Sequence, residues 1–299
     1  MTKKIEAPKL EGCIAVTGAA GFLGGVIVRM LATSGARVHA IGRTPPAAGS
    51  DVTSHGWDPT RDAGPPAPGL EVDAVIDCAA ALPARVTDSA ENKRINALLV
   101  EGAIDLAART GGRLIYMSSQ SVYGRPTGDW IDATTPLAPV IPYGEAKRDA
   151  EAAVAAAVAD GRLAGAAALR LPAVVGPGAH DNFPAGTAAK LMHGEPVTVF
   201  NPQSAYNAVV EAEDLAAFAI RLARTVRGFT AVSPAPSEPT SIHAAVEAIA
   251  TGLGRTATIR TEAATHTSPL IDPMPALALG LQARPAAEIL LRFGKALAK

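Results

Sequence analysis

The octapeptide Thr17-Gly18-Ala19-Ala20-Gly21-Phe22-Leu23-Gly24 constrains the fold of this chain more than any other stretch. Before it, Cys13-Ile14-Ala15-Val16 is a short apolar run of the kind that forms a buried parallel strand. After it, Phe22, Val26, Ile27, Met30 and Leu31 recur at helical spacing. The chain therefore reads strand, glycine turn, helix. Gly18, Gly21 and Gly24 permit a tight turn, close approach of a pyrophosphate to the backbone, and close packing of helix on strand. The helix start at Phe22 and Leu23 then offers free N–H groups and a positive dipole end to phosphate. Strand before and helix after supply the context that turns a glycine pattern into a dinucleotide site.

A chain of 299 residues that is 48% hydrophobic can bury a large core, one big domain with a smaller appendage. A net charge of -1 sets up no field that would gather nucleic acid or an anionic membrane, and neither is expected as a partner. Cys13 and Cys78 both sit in apolar runs, where reduced structural thiols are expected, and this points to the cytoplasm. The stretch from Met1 to Glu11 is charged and lacks an apolar signal segment. No apolar run approaches the roughly 20 residues that span a bilayer. The six histidines show no metal-ligand spacing, so no metal is expected.

Arg37 to Ile41 reads as a second strand ending at Gly42-Arg43. An acid at this strand end would bind the adenosine ribose, whereas an arginine suits the extra phosphate of NADP. Gly42 holds the acid's place and Arg43 follows, which favours NADP and leaves NAD open; a solvated strand-end arginine is the plainer alternative. From Thr44 to Leu70 the chain is rich in Pro, Gly and Ser, and regular structure should be sparse. Within it, His55-Gly56-Trp57-Asp58 reads as a short strand end whose Asp58 faces the adenine, with an exposed loop acid as the equal alternative. Asp73 to Ala80 is a buried strand whose small end residues, Ala79 and Ala80, let a cofactor pass close.

Arg113 to Met117 is another buried strand, and it runs into Ser118-Ser119-Gln120-Ser121-Val122-Tyr123-Gly124. Ligands of open parallel sheets bind outside the carboxyl ends of the strands, which is where this serine cluster emerges. Tyr143-Gly144-Glu145-Ala146-Lys147 opens an alanine-rich helix reaching about Asp160. Residues four apart share a helix face, so the Lys147 ammonium can sit near the Tyr143 phenol and favour its phenolate. Tyr and Lys also meet at this spacing by chance.

Glycine turn, Asn96 in a helical stretch, serine cluster and Tyr-x-x-x-Lys, in that order, resemble the extended short-chain dehydrogenase/reductase family of nucleotide-sugar epimerases, dehydratases and ketosugar reductases. The resemblance extends through Leu169 to Gly178, Val210 to Ala216 and Asp272 to Pro285. It implies an α/β fold: a Rossmann-type doubly wound parallel sheet over 11–177 and a small C-terminal substrate-binding domain over 178–299, with roughly 205–232 returning to the core. It implies that Tyr143 is the general acid/base, that Lys147 holds the nicotinamide ribose, and that Ser119 orients the reacting oxygen. Asn96 is supportive, and Pro172 falls on the segment against the nicotinamide. Ser119, Ser121, Asn182 and Asn207 are the implied substrate contacts, Asn182 equally a helix cap.

Two departures stand out. Asp77 replaces the family's usual fourth-strand histidine, and Asn207 replaces an arginine that in many sugar-nucleotide enzymes grips the diphosphate. The implied activity is NAD(P)-dependent ketoreduction of a sugar-like or nucleotide-sugar carbonyl. An NAD-dependent epimerase or dehydratase is the alternative, and a non-catalytic NAD(P)-sensing protein a remote one. The partner is a small-molecule substrate, with a homodimer left open.

Overall fold

The computed structural model describes residues 12–264 and 268–298. The stretch from Met1 to Glu11, expected to lack a signal segment, lies outside them. The elements in order are β1 (Cys13–Thr17), α1 (Phe22–Thr33), β2 (Arg37–Gly42), β3 (Val52–Gly56), β4 (Ala74–Asp77), α2 (Ser89–Ala108), β5 (Arg113–Ser119), β6 (Trp130–Ile131), α3 (Pro142–Ala159), β7 (Gly165–Leu171), β8 (Ala173–Val175) and α4 (Phe183–Met192). They continue as β9 (Val197–Phe200), β10 (Ala205–Tyr206), β11 (Val209–Glu211), α5 (Ala212–Thr225), β12 (Gly228–Val232), β13 (Thr240–Ser241), α6 (Ile242–Leu253), β14 (Ile259–Glu262), β15 (Leu270–Ile271), α7 (Met274–Ala278) and α8 (Ala286–Leu297).

The chain divides into two compact units. Unit 1 comprises Met1–Ser121, Pro139–Leu169 and Ala219–Ala231; unit 2 comprises Val122–Ala138, Arg170–Phe218 and Val232–Lys299. A seven-stranded sheet in the order β12-β7-β5-β4-β1-β2-β3 organises unit 1. The order reverses direction at β1, with β2 and β3 to one side and β4 and β5 to the other, all in parallel register. This is the expected Rossmann-type doubly wound arrangement, in which ligands bind outside the strand ends where the winding reverses.

The expected glycine-turn element is present as β1, a turn, and α1. Strand residues Ala15, Val75, Leu114, Ala166 and Ala168 bury one face of the sheet against Val100, Ala103 and Leu106 of α2 and Ala150, Val154 and Ala157 of α3. Runs such as Ala74–Asp77, buried at all four positions, are what a sheet covered on both faces demands. The Pro/Gly/Ser-rich stretch after Thr44 is sparse in regular structure, as expected, and the strand end read at His55-Gly56 is that of β3, paired with β2 from Val38↔Val52 to Gly42↔Gly56. As an edge strand of sequence Val-Thr-Ser-His-Gly it carries no apolar face, so periodicity and hydropathy do not disclose where it starts.

Unit 2 has its own core, in which Leu191 of α4, Val246 and Ile249 of α6, and Leu290 and Phe293 of α8 pack together. Short strand pairs, β8 with β11, β9 with β14, β10 with β13 and β6 with β15, complete it. Among the described residues no helix is long and apolar enough to cross a membrane.

Candidate active site

The turn after β1 is built for close approach. Gly18 has a φ of 63°, and a Cβ there would lie 2.8 Å from the backbone of Cys78 and Ala79. A Cβ on Gly24 would lie 2.3 Å from the Gly18 carbonyl oxygen. The Gly21 N–H closes the turn on that same oxygen at 2.9 Å. Gly21 is also the N-cap of α1 and provides no side-chain cap, so the first-turn N–H groups around Phe22 and Leu23 are left for an external acceptor. A cradle with no room for side chains and an uncapped helix start fit a dinucleotide pyrophosphate.

The neighbouring strand end is fixed by amides. Asn96 of α2 accepts from the Ala81 N–H at 3.1 Å and donates to the Ala81 carbonyl at 3.1 Å; Asn92, one turn earlier, donates to the same carbonyl at 3.0 Å. The loop through Ala79 and Ala80 is thereby tied to α2, and Asn96 acts through that loop. Arg43 is exposed at the end of β2. Its charge helps hold the Asp58 carboxyl below its ordinary range; burial works against that shift, and hydrogen bonds from Thr60 together with Arg43 and Arg61 outweigh it. Asp58 meanwhile closes its own turn, accepting from the Thr60 N–H at 3.0 Å and hydroxyl at 2.6 Å.

Ser119, Tyr143 and Lys147 all belong to unit 1. Ser119 Oγ, at the end of β5, accepts from the Ser121 N–H at 3.2 Å and from its hydroxyl at 3.0 Å. Gly144 explains how α3 reaches this turn: a Cβ there would lie 2.4 Å from the Ser121 carbonyl oxygen, so glycine lets the first turn of α3 press on the serine backbone. Tyr143, half-buried, precedes it. Lys147 is only 2% exposed; its ammonium donates to the Met117 carbonyl at 2.7 Å and lies 4.7 Å from the Tyr116 ring centre and 5.7 Å from that of Tyr143. Burial disfavours the Lys147 charge, yet Tyr116, Tyr143 and Asp77 together raise its pKa above the lysine norm. The Tyr116 phenol is itself pushed up to about 12 by burial, against the pull of Lys147.

Pro172, Asn182 and Asn207 belong to unit 2. Asn182 is the N-cap of α4, accepting from the Ala185 N–H at 2.9 Å, and its amide donates to the Val174 and His180 carbonyls. Asn207, 3% exposed, clasps β15 at both ends, donating to the Ile271 carbonyl at 2.8 Å and accepting from the Ile271 N–H at 2.9 Å. Both side chains are engaged with backbone.

A model of the NAD dependent epimerase/dehydratase family matches residues 14–231. The chain belongs to that family. Its members and relatives are NAD(P)-dependent enzymes of the short-chain dehydrogenase/reductase type. The chain is 31% identical over 203 residues to dTDP-6-deoxy-L-talose 4-dehydrogenase (NAD(P)(+)) of Kitasatospora kifunensis; the match takes in 60% of this chain and 58% of that protein's own length. It is also similar to MoeE5 solved in complex with UDP-glucuronic acid and NAD, with 25% identity, a TM-score of 0.78, and coverage of 96% of this chain and 99% of that one. The Thermus thermophilus UDP-glucose 4-epimerase, solved with NAD, shares the fold at 20% identity and a TM-score of 0.73, covering 95% and 98%.

Four participants escape a reading of the sequence for family motifs. Asn92, Tyr116, Gly144 and the Met117 carbonyl carry no motif letter of their own. Gly144 stands between Tyr143 and Lys147, and only the close approach of Ser121 gives it a task. Asn92 stands one turn before Asn96, and that i,i+4 pair of asparagines on an otherwise apolar helix face is the available signal.

Proposed function

We propose that this protein is an NAD(P)-dependent oxidoreductase that interconverts a hydroxyl and a carbonyl on a sugar or nucleotide-linked sugar, with Tyr143 as the acid/base. The observation that carries the reading is the convergence, within unit 1, of the Ser119 turn, Tyr143 and the buried Lys147 at the carboxyl end of β5. Family membership and the relative named as a 4-dehydrogenase support the same class of reaction. Unit 1 holds the dinucleotide: Gly18, Gly21, Phe22, Leu23 and Gly24 at the pyrophosphate, Ala79, Ala80 and Asp58 along its adenosine half, and Arg43 at a 2′-phosphate, so NADP is the preferred form. Pro172 falls on the segment read against the nicotinamide, and Ser119, Ser121 and the segment after Gly178 are the residues read as selecting the substrate.

When bound, the nicotinamide supplies or takes up the hydride. In the reductive direction the Tyr143 phenol gives its proton to the carbonyl oxygen as negative charge develops there, while the Ser119 hydroxyl orients that oxygen. The positive charge of Lys147 stabilises the phenolate left behind. The shared name of the family admits a second reading, an epimerase that oxidises and re-reduces one centre.

One experiment separates them. Purified protein is incubated with NADP⁺ or NAD⁺ and dTDP-6-deoxy-L-talose, and the absorbance of reduced nicotinamide is followed. Stoichiometric accumulation, faster with NADP⁺, is the expected result; inverted sugar with no net reduced cofactor establishes the epimerase, and no reaction with any nucleotide-linked hexose overturns the assignment.

A further inference from the structure

Asp77 closes β4 at the position where the family usually has histidine, and none of the steps above employs it. Parallel register places Thr17 of β1 beside Asp77 and Asp77 beside Tyr116 of β5, so the three form one lateral row near the strand ends. Asp77 is 1% exposed. Its Oδ1 accepts from the Thr17 hydroxyl and, at 3.2 Å, from the Ala79 N–H. Its Oδ2, with no accessible surface, has no hydrogen-bond partner among the described residues. A buried carboxyl oxygen left without a donor is costly, and such an orphan calls for a compensating charge. Lys147 supplies it from the same row: it is equally buried and lies at 4.7 Å over the ring of Tyr116, the register neighbour of Asp77. Burial pushes the Asp77 carboxyl up, and the Lys147 charge works against that rise.

We propose that Asp77 is a positioning residue, the buried counter-charge that holds the Lys147 ammonium and sets how strongly that ammonium acts on the Tyr143 phenol. The inference rests on the assignment of Tyr143 and Lys147 above. The other titratable groups around the pair are Tyr116 on β5, the Cys78 thiol after β4, and Tyr143 and Glu151 on α3, of which Glu151 is taken by the Ser118 hydroxyl at 2.5 Å. With histidine in place of Asp77 the ammonium would lack a carboxylate counter-charge, so this chain balances it more fully. Removing the carboxylate leaves Lys147 unopposed; the phenolate then forms more readily, and the acidic limb of oxidation, where the base must be deprotonated, moves to lower pH.

Two measurements on the full chain test this. The first is a thermal double-mutant cycle with Asp77→Asn, Lys147→Met and the pair, without any substrate. Each single change should lower Tm, and the double should retain roughly 3 °C or more above the additive value, as coupled buried charges require. Additivity overturns the proposal. The second is the pH profile of sugar oxidation by Asp77→Asn, whose acidic limb should move down by about one pH unit, a tenfold change in proton affinity. A coupled cycle with an unmoved limb also overturns it, because Asp77 would then serve the fold alone. If the unaltered protein oxidises no sugar, the functional assignment falls, and the cycle by itself decides whether Asp77 holds Lys147. Should Asp77→Asn not fold, Asp77→Ser enters the same cycle.

Discussion

The glycine turn at the start of α1 in unit 1 and the asparagines Asn182 and Asn207 of unit 2 treat polar groups in opposite ways. In unit 2 two helix starts are closed from within: Asn182 caps α4 and Ser241 caps α6, each accepting an N–H of the first turn, as Asp88 does for α2 in unit 1. Asn207 spends both ends of its amide on Ile271. In unit 1, among the described residues, the start of α1 has glycine for a cap and no side-chain cap, Tyr143 is half-buried, and a buried carboxyl oxygen of Asp77 stands without a donor. An uncapped helix start that follows a side-chain-free glycine turn is open to an anionic ligand. The chemistry is therefore expected where hydrogen-bonding capacity is unspent, whereas Asn182 and Asn207 spend theirs on backbone.

The largest way to break this contrast is at Gly24. Gly24→Ala forces a methyl group to 2.3 Å from the Gly18 carbonyl, so the turn must open. Cofactor affinity should vanish by calorimetry and stability fall by about 4 kcal/mol, the scale of a core clash that cannot relax. Intact binding would show that the turn is no cradle. Next is Tyr143→Phe, which removes the proton donor and leaves the ring. Turnover should fall by about 10²- to 10⁴-fold while the cofactor dissociation constant changes little. A variant with normal turnover excludes Tyr143 as the acid/base.

How far the sequence discloses these sites follows from the same physics. Strand, glycine turn and helix are local, each within a dozen residues, and the pattern of Cys13 to Leu31 displays them directly. The Tyr143–Lys147 pair is legible because i,i+4 spacing is a helical property. What is not legible is lateral. The Thr17–Asp77–Tyr116 row spans three strands and about a hundred residues of chain. Asn207 reads as a lost arginine in a substrate pocket, and only the pairing that brings Ile271 alongside reveals a clasp. The polar edge strand β3 is legible only at its end, His55-Gly56, for a related reason: the rest is dictated by β2 and not by its own side chains.

Unit 2 offers the converse test. Asn207→Ala strands a buried N–H and a buried carbonyl of Ile271, which at about 1 to 3 kcal/mol for each unmet group costs roughly 2 to 6 kcal/mol of stability. Chemical denaturation should record that loss, while the cofactor affinity of the folded protein stays as it was. A large loss of cofactor or nucleotide affinity without a stability change would make Asn207 a ligand residue and dissolve the contrast. Smaller again is Arg43→Ala. The arginine is exposed, and a charge-assisted contact to a 2′-phosphate is worth about 1.5 to 3 kcal/mol. NADPH should weaken by that amount and NADH hardly at all, and equal effects on both would remove the phosphate role.

The smallest effect sharpens the contrast by pH, since amide-to-backbone clasps do not titrate and imidazoles do. His39 of β2 and His55 of β3 meet in unit 1, Nδ1 to Nε2 at 2.7 Å, with ring centres 5.0 Å apart. One nitrogen must donate and the other accept, so the pair cannot carry a proton on every nitrogen. Burial lowers the pKa of both, and for His39 the neighbouring His55 and Arg37 charges lower it further. A folded-state pKa below the unfolded value means that the contribution to stability is complete above about pH 6.5 and is lost as pH falls through the folded value. Tm should therefore decline as pH drops from about 7.5 toward 5, and His55→Gln, which removes one titrating ring, should flatten that decline. Parallel profiles for the two proteins would show that the histidine pair is indifferent to its proton and that the acid sensitivity of the fold arises elsewhere.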